Sequence, residues 1–226
     1  HFTMNTFQKT ISKEVMLQGI GIHKGKECTL TLKPAEINNG ITFYRTDLDN
    51  KQVKCTPKNL IPGKRATILQ ENGTTIFTPE HLLAACSMCS ISNLNIYLDT
   101  EEIPILDGSA SPFIEALQEA IPVSQNEPLE PIIIKEPVIV KDRTTHILVL
   151  PSDTPRFSYY LKSPEKFIPN LGVNLLSNKS EWISSIGPAR TWGLYKDVKA
   201  LLDQGLAQGG SLDNAVVIDE TKYLNE

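Results

Sequence analysis

Glu80 and His81 stand side by side in Thr78-Pro79-Glu80-His81-Leu82-Leu83-Ala84-Ala85. Thr78 is a suitable N-cap and Pro79 suits a first helical position, where its missing N–H costs nothing. The apolar run behind them predicts a buried helix from Pro79 to about Ser90. At such a helix mouth the dipole favours an ionised carboxylate, the state a general base requires. The pair could therefore move protons or help to hold a metal. It could equally be a capping Glu beside a hydrogen-bonded histidine, and the local sequence leaves both open.

Other candidate chemistry is weaker. His-Glu-x-x-His is absent, because Glu80 precedes His81 and Ala85 stands four residues on. Cys86-Ser87-Met88-Cys89 has no second pair, and on an apolar helix it reads as packed thiols. Gly19-Ile20-Gly21-Ile22-His23-Lys24-Gly25-Lys26 has neither the glycine spacing nor the Ser/Thr of a phosphate loop, so a hairpin turn is expected. His23 would line a site if that turn faces the mouth of the Glu80 helix. Asp107-Gly108-Ser109-Ala110 reads as a turn, while Arg190-Thr191-Trp192-Gly193 and Gly209-Gly210-Ser211 offer close backbone approach to a ligand or simply tight turns.

The elements that must position these residues are legible in outline. Strands are expected at Leu30–Lys33, Ile41–Arg45 and Asn93–Asp99, with a hairpin around Gly63–Phe77 that turns at Asn72-Gly73. A helix from Pro112 to Ala120 would be capped by Ser111. The polar, proline-bearing stretch from Val123 to Pro131 predicts a domain boundary, giving one domain over 4–124 and a second over 131–226. Beyond it, strands are expected at Ile132–Val140, His146–Leu150, Phe157–Leu161 and Asn214–Asp219, and helices at Lys179–Ile186 and Tyr195–Gln204. The fold class is α+β, with two units of similar element order.

Composition narrows the function classes. The 226 residues are 40% hydrophobic and 21% charged, as in an ordinary globular protein. A net charge of −4 with no basic stripe argues against a nucleic-acid partner. No apolar stretch approaches a membrane span, and four cysteines without a disulfide-framework pattern suit a reducing, cytoplasmic setting. His1-Phe2-Thr3 reads as an expression scar ahead of a natural start at Met4.

Five segments in order resemble one family. They are Gly19–Lys26, Thr78–Ala85, Glu102–Ala110, Arg190–Gly193 and Gly205–Ala215. The family is the zinc-dependent UDP-3-O-acyl-N-acetylglucosamine deacetylase of lipid A synthesis in Gram-negative bacteria, and the resemblance runs from about Phe7 to Glu226. It implies two related α+β domains whose helix layers meet at a junction holding the active site. The first carries a small strand insert around Gly63–Phe77, and the second a β-α-β insert over about Trp192–Asp219. It implies Zn²⁺ as cofactor with His81 as a ligand, Glu80 as base, and Thr191 as donor to the developing oxyanion. The substrate would be a UDP-sugar carrying a hydroxyacyl chain, and the protein a cytoplasmic monomer. His23, Trp192, Gly193, Gly210 and Ser211 would contact substrate. Val198, Leu201, Ala207, Ala215 and Val217 would line an apolar passage for the acyl chain, or form the core of the insert itself. Trp192 stands where the family usually has Phe.

The resemblance carries one departure. A catalytic zinc takes three protein ligands. The family's other His and its Asp lie in a His-Lys-x-x-x-Asp stretch downstream of the segment matching Tyr223-Leu224-Asn225-Glu226, as do its general-acid histidine and a substrate-contacting lysine. These 226 residues are thus expected to supply one ligand of three. The expectation is a deacetylase represented in part. The alternative is a catalytically inactive fragment or relative that binds the acyl chain or UDP-sugar without a complete zinc site.

Overall fold

A computed structural model describes residues 6–163 and 165–226; the expected start at Met4 lies outside them. Among the described residues, sixteen strands and four short helices make the chain α+β. The largest sheet has five strands: β2 (Val15–Ile20), β3 (Glu27–Pro34), β4 (Ile41–Arg45), β5 (Lys51–Lys54) and β9 (Leu94–Leu98). Its order is β2-β3-β9-β4-β5, antiparallel except where β4 runs parallel to β9. Alternation sorts its two faces. Leu30, Leu32, Phe43, Val53, Leu94, Ile96 and Leu98 are fully buried, while Tyr44 and Tyr97 stack on the other face with Lys33 above Tyr97. β1 (Phe7–Ile11) pairs with β10 (Pro122–Pro128), so the polar stretch at the expected boundary begins as a strand closing the first unit.

Between β5 and the first helix, β6 (Leu60–Ile61), β7 (Ile68–Glu71) and β8 (Thr74–Phe77) form a small antiparallel sheet. Asn72 and Gly73 take φ of 49° and 77°, the paired left-handed conformation of a two-residue hairpin turn. Helices α1 (Glu80–Met88) and α2 (Ser111–Glu119) pack on one another and on the main sheet through Leu82, Ala85, Cys86, Phe113, Ile114 and Leu117.

Both expected helix caps are corrected. Thr78 does not cap α1: its φ is 58°, and its hydroxyl donates to Glu102 Oε1 at 2.9 Å. Pro79 takes the N-cap place instead, and its carbonyl accepts the Leu83 N–H at 2.9 Å. Nor does Ser111 cap α2, which starts one residue earlier than expected. The Ser109 hydroxyl accepts the Ser111 N–H at 3.1 Å and donates to Asp107 Oδ1 at 2.8 Å.

The second unit is built from pairs. β11 (Val138–Asp142) pairs with β12 (Thr145–Val149), and β13 (Phe157–Leu161) with β14 (Leu171–Leu175), a strand the sequence reading missed. The strand expected from Ile132 begins only at Val138. α3 (Lys179–Glu181) runs into a π-helical turn over Trp182–Ile186, and Trp182 joins the core formed by α1 and α2. β15 (Trp192–Leu194), α4 (Tyr195–Asp203) and β16 (Val216–Ile218) form a β-α-β unit with parallel strands. Among the described residues no helix is long and apolar enough to cross a membrane.

Candidate functional site

Glu80 opens α1, with His81 next to it, both half-buried. Glu80 Oε2 is buried and has no hydrogen-bond partner among the described residues, so this carboxylate oxygen is not consumed by the fold. Burial holds the His81 imidazole below its ordinary pKa, against the opposing charges of Glu80 and Asp107. A neutral ring with an available nitrogen lone pair is the form that binds a metal or takes up a proton.

The Leu106–Ser109 turn brings the second unit to this mouth. Asp107, whose charge His81 feels, accepts two bonds from Ser109. Its backbone carbonyl takes the Arg190 Nε–H at 2.7 Å, while Arg190 Nη2 donates to the Leu212 carbonyl at 3.0 Å. The next carbonyl, that of Gly108, accepts the Thr191 N–H at 2.8 Å. Thr191 in turn accepts the Val216 N–H at 2.9 Å, which ties β15 and β16 to the same turn. Gly108 has φ of 89°, and a Cβ there would lie 2.8 Å from the Asn214 carbonyl carbon and collide with its oxygen. No larger residue lets the two segments close.

A second contact surface joins the hairpin between β2 and β3 to the 205–215 loop. Gly209 N–H donates to the Ile22 carbonyl at 3.0 Å, and Gln208 N–H to the His23 carbonyl at 3.2 Å. His23 is buried, with Nε2 3.1 Å from the Arg65 carbonyl and Nδ1 3.4 Å from the Ala207 N–H. Those partners select the tautomer protonated at Nε2, and both ring nitrogens are engaged by backbone. Asn214 fastens the loop internally, accepting from Ser211 N–H and donating to the Gly209 carbonyl, each at 2.9 Å.

The other residues of interest fall in this second unit. Trp192 and Tyr195 are exposed, and Gly193 has open space where a Cβ would stand. Val198 and Leu201 on α4 are half-buried, as are Ala207, Ala215 and Val217, whereas Gly210 and Ser211 are exposed. The structure thus brings Glu80, His81, Asp107 and Thr191 to one turn, and sets His23 with Ala207–Gly209 at the neighbouring loop.

The sequence reading missed Glu102, Arg190 as a clamp, and Asn214. Glu102 carries a faint signal, a carboxylate heading the apolar run Ile103-Pro104-Ile105. Arg190 and Asn214 act through contacts with the 107–108 turn and the 209–211 loop, and nothing in their neighbours announces those contacts.

His81 suits a single position in a zinc's ligand set, being neutral and free of hydrogen-bond partners among the described residues. Among the described residues, however, no group of three or more His, Cys, Asp or Glu side chains converges to hold a metal ion. The site fits one ligand and not the whole coordination shell.

The chain matches the family model LpxC, UDP-3-O-acyl N-acetylglycosamine deacetylase, over residues 8–226. It is 42% identical over 218 residues to a UDP-3-O-acyl-N-acetylglucosamine deacetylase of Campylobacter fetus subsp. fetus, covering 96% of this chain and 74% of that protein. A protein of the same name from Campylobacter jejuni subsp. jejuni is 39% identical over 218 residues, with the same coverage. One from Geotalea uraniireducens is 36% identical over 220 residues, covering 97% of this chain and 72% of that protein.

Proposed function

The chain belongs to the UDP-3-O-acyl N-acetylglycosamine deacetylase family, and from that membership we propose that it removes the acetyl group of UDP-3-O-acyl-N-acetylglucosamine in lipid A synthesis. We further propose Zn²⁺ as its cofactor, with His81 as one ligand, and a monomer acting in the cytoplasm. The zinc, when bound, would polarise the amide carbonyl and acidify water. This reading includes two domains, 4–124 and 131–226, that meet at the site. The contacts of Gly108 with Thr191 and Asn214 support that meeting.

The chain's own residues have these tasks. Glu80, with one buried oxygen left free, takes the proton of the attacking water. Thr191, fastened through its backbone to Gly108 and Val216, presents its hydroxyl to the charge that develops on the carbonyl oxygen. His23 helps to shape the sugar end through the loop it anchors. Trp192 and Gly193 form a wall and an opening beside it, with Gly210 and Ser211 on the facing loop. Val198, Leu201, Ala207, Ala215 and Val217 offer half-buried apolar surface to an acyl chain.

The observation that carries the reading is the free Glu80 oxygen beside a neutral His81. The test is acetate release from UDP-3-O-acyl-N-acetylglucosamine by the full-length natural protein in the presence of Zn²⁺. Glu80→Gln is expected to cut turnover by about 10²–10⁴-fold while substrate still binds, and near-normal turnover would remove Glu80 as the base. Metal analysis supplies an independent check. A single imidazole does not retain zinc, so the 226-residue chain is expected to carry well under one tightly bound ion. Stoichiometric zinc would reveal further ligands. Substrate binding without acetate release from the zinc-loaded full-length natural protein would favour the inactive binding protein instead.

A further inference from the structure

We propose that Glu102 is a positioning residue for the Glu80–His81 pair, acting through the left-handed backbone of Thr78. The proposal rests on the deacetylase reading above for its kinetic consequence, though not for its structural one.

Glu102 is 1% exposed, and its carboxylate accepts from three donors, one of them shared between its two oxygens. Oε1 takes the Thr78 hydroxyl at 2.9 Å and the His23 N–H at 3.0 Å. Oε2 takes the Lys24 N–H at 2.7 Å and shares the His23 N–H at 3.2 Å. Both oxygens take a backbone N–H, so an amide at this position would turn its own N–H toward that of His23 or Lys24 whichever way it lay. The surroundings are cut to fit. A Cβ on Gly21 would stand 2.7 Å from the Glu102 carboxyl carbon, so the hairpin passes over the carboxylate only as glycine.

Thr78 is the strained member of this arrangement. A β-branched residue seldom takes positive φ, and one preceding proline is biased toward extended backbone; Thr78 does neither usual thing, with φ at 58°. It is pinned on both sides. Its N–H donates to the Thr67 carbonyl at 3.0 Å, and Phe77 before it bonds Glu101 and Ile103 across a parallel bridge. The Glu102 carboxylate supplies the side-chain half of that grip. Two residues later α1 begins, so the turn at Thr78 sets the direction in which Glu80 and His81 leave the helix mouth. Strain of this kind persists where the surroundings over-determine it, and it gathers at functional sites.

The test uses the full chain and two readouts. In Glu102→Gln, kcat for acetate release is expected to fall by about 10- to 100-fold with KM little changed, as for a displaced catalytic group. Adding Thr78→Gly should restore most of the loss, because glycine holds positive φ without a carboxylate to fix it. Loss of a merely structural carboxylate would not be rescued at position 78. Independently of turnover, the backbone amide resonances of Glu80 and His81 should shift in Glu102→Gln and return toward wild type on adding Thr78→Gly. If Glu102→Gln does not fold, Thr78→Val removes only the one hydroxyl and should shift the same resonances. Unmoved Glu80 and His81 resonances, or shifts that Thr78→Gly leaves in place, would overturn the proposal. A zinc-loaded full-length wild-type protein that releases no acetate would count against the deacetylase reading instead, and the resonances would still decide the role of Glu102.

Discussion

Replacing Gly108 by alanine should show how tightly the two halves of the site are locked. The substitution meets two separate penalties. Its φ of 89° lies where an L side chain is strained, at a cost of about 1–2 kcal/mol. Its Cβ would stand 2.8 Å from the Asn214 carbonyl carbon and closer still to the oxygen, and forcing such an overlap costs about 1–3 kcal/mol. Gly205 separates the two effects, since its φ is 72° but nothing lies within 4 Å of a Cβ there. Gly205→Ala therefore meets only the conformational penalty, and both variants share the gain of about 0.4–1 kcal/mol from a less flexible unfolded chain. The difference between them isolates the collision. In urea melts at pH 7, Gly108→Ala is expected to be less stable than Gly205→Ala by about 1–3 kcal/mol. Equal stabilities would refute the view that Asn214 is packed against this turn. The same displacement would pull the Gly108 carbonyl from Thr191, so acetate release should fall further in Gly108→Ala than in Gly205→Ala.

Three other outcomes follow from single contacts. Burial and the nearby Asp99 push the Cys28 thiol up to about 12, and burial raises that of Cys86 further, so at pH 8 neither should react with iodoacetamide until urea is added; rapid native labelling of Cys28, read by mass spectrometry, would contradict this. The Arg45 guanidinium, in a bidentate pair at 2.8 and 2.7 Å, holds the Asp47 carboxyl below its ordinary 3.8. Its contribution is therefore complete above pH 3.8 and is lost as pH falls through the lower folded value, so Asp47→Asn should flatten the acid limb of a stability–pH curve only below about pH 4. Lys179 Nζ donates to the Ser87 carbonyl at 2.9 Å and the Ser90 hydroxyl at 2.7 Å, capping the end of α1 from the second unit. Lys179→Met should cost about 0.5–1 kcal/mol in the same urea melts, since the contact is partly exposed.

Much of this fold was legible because it is local. The run after Pro79 predicts α1 to within two residues, and Asn72-Gly73 predicts its hairpin, since each signal lies inside the element it describes. Thr78 shows the limit. Its type and place both suit an N-cap, yet its hydroxyl goes to Glu102, 24 residues on, and the backbone turns left-handed to allow it. β1 and β10 escaped notice because they have mixed polarity and are defined by one another across the whole first unit. The pair Glu80–His81 could be picked out as a candidate from the sequence, and so could Thr191 through its motif. What holds Thr191 in place could not, because the Arg190 guanidinium grips the carbonyls of Asp107 and Leu212 while Gly108 meets Thr191 and Asn214 through backbone atoms, and no side-chain pattern records those partners.

The bond from Ala207 N–H to His23 spans 184 residues of chain. Ribosomes add about 5–20 residues each second, so roughly 10–40 s separate the synthesis of its two ends. Over that interval the first unit can form its sheet and bury α1, while the loop that seats against its hairpin does not yet exist. The mouth at Glu80 and His81 is thus among the last features to be completed on the nascent chain. A substitution in the 205–215 loop should then slow the gain of activity during refolding without slowing collapse of the five-stranded sheet.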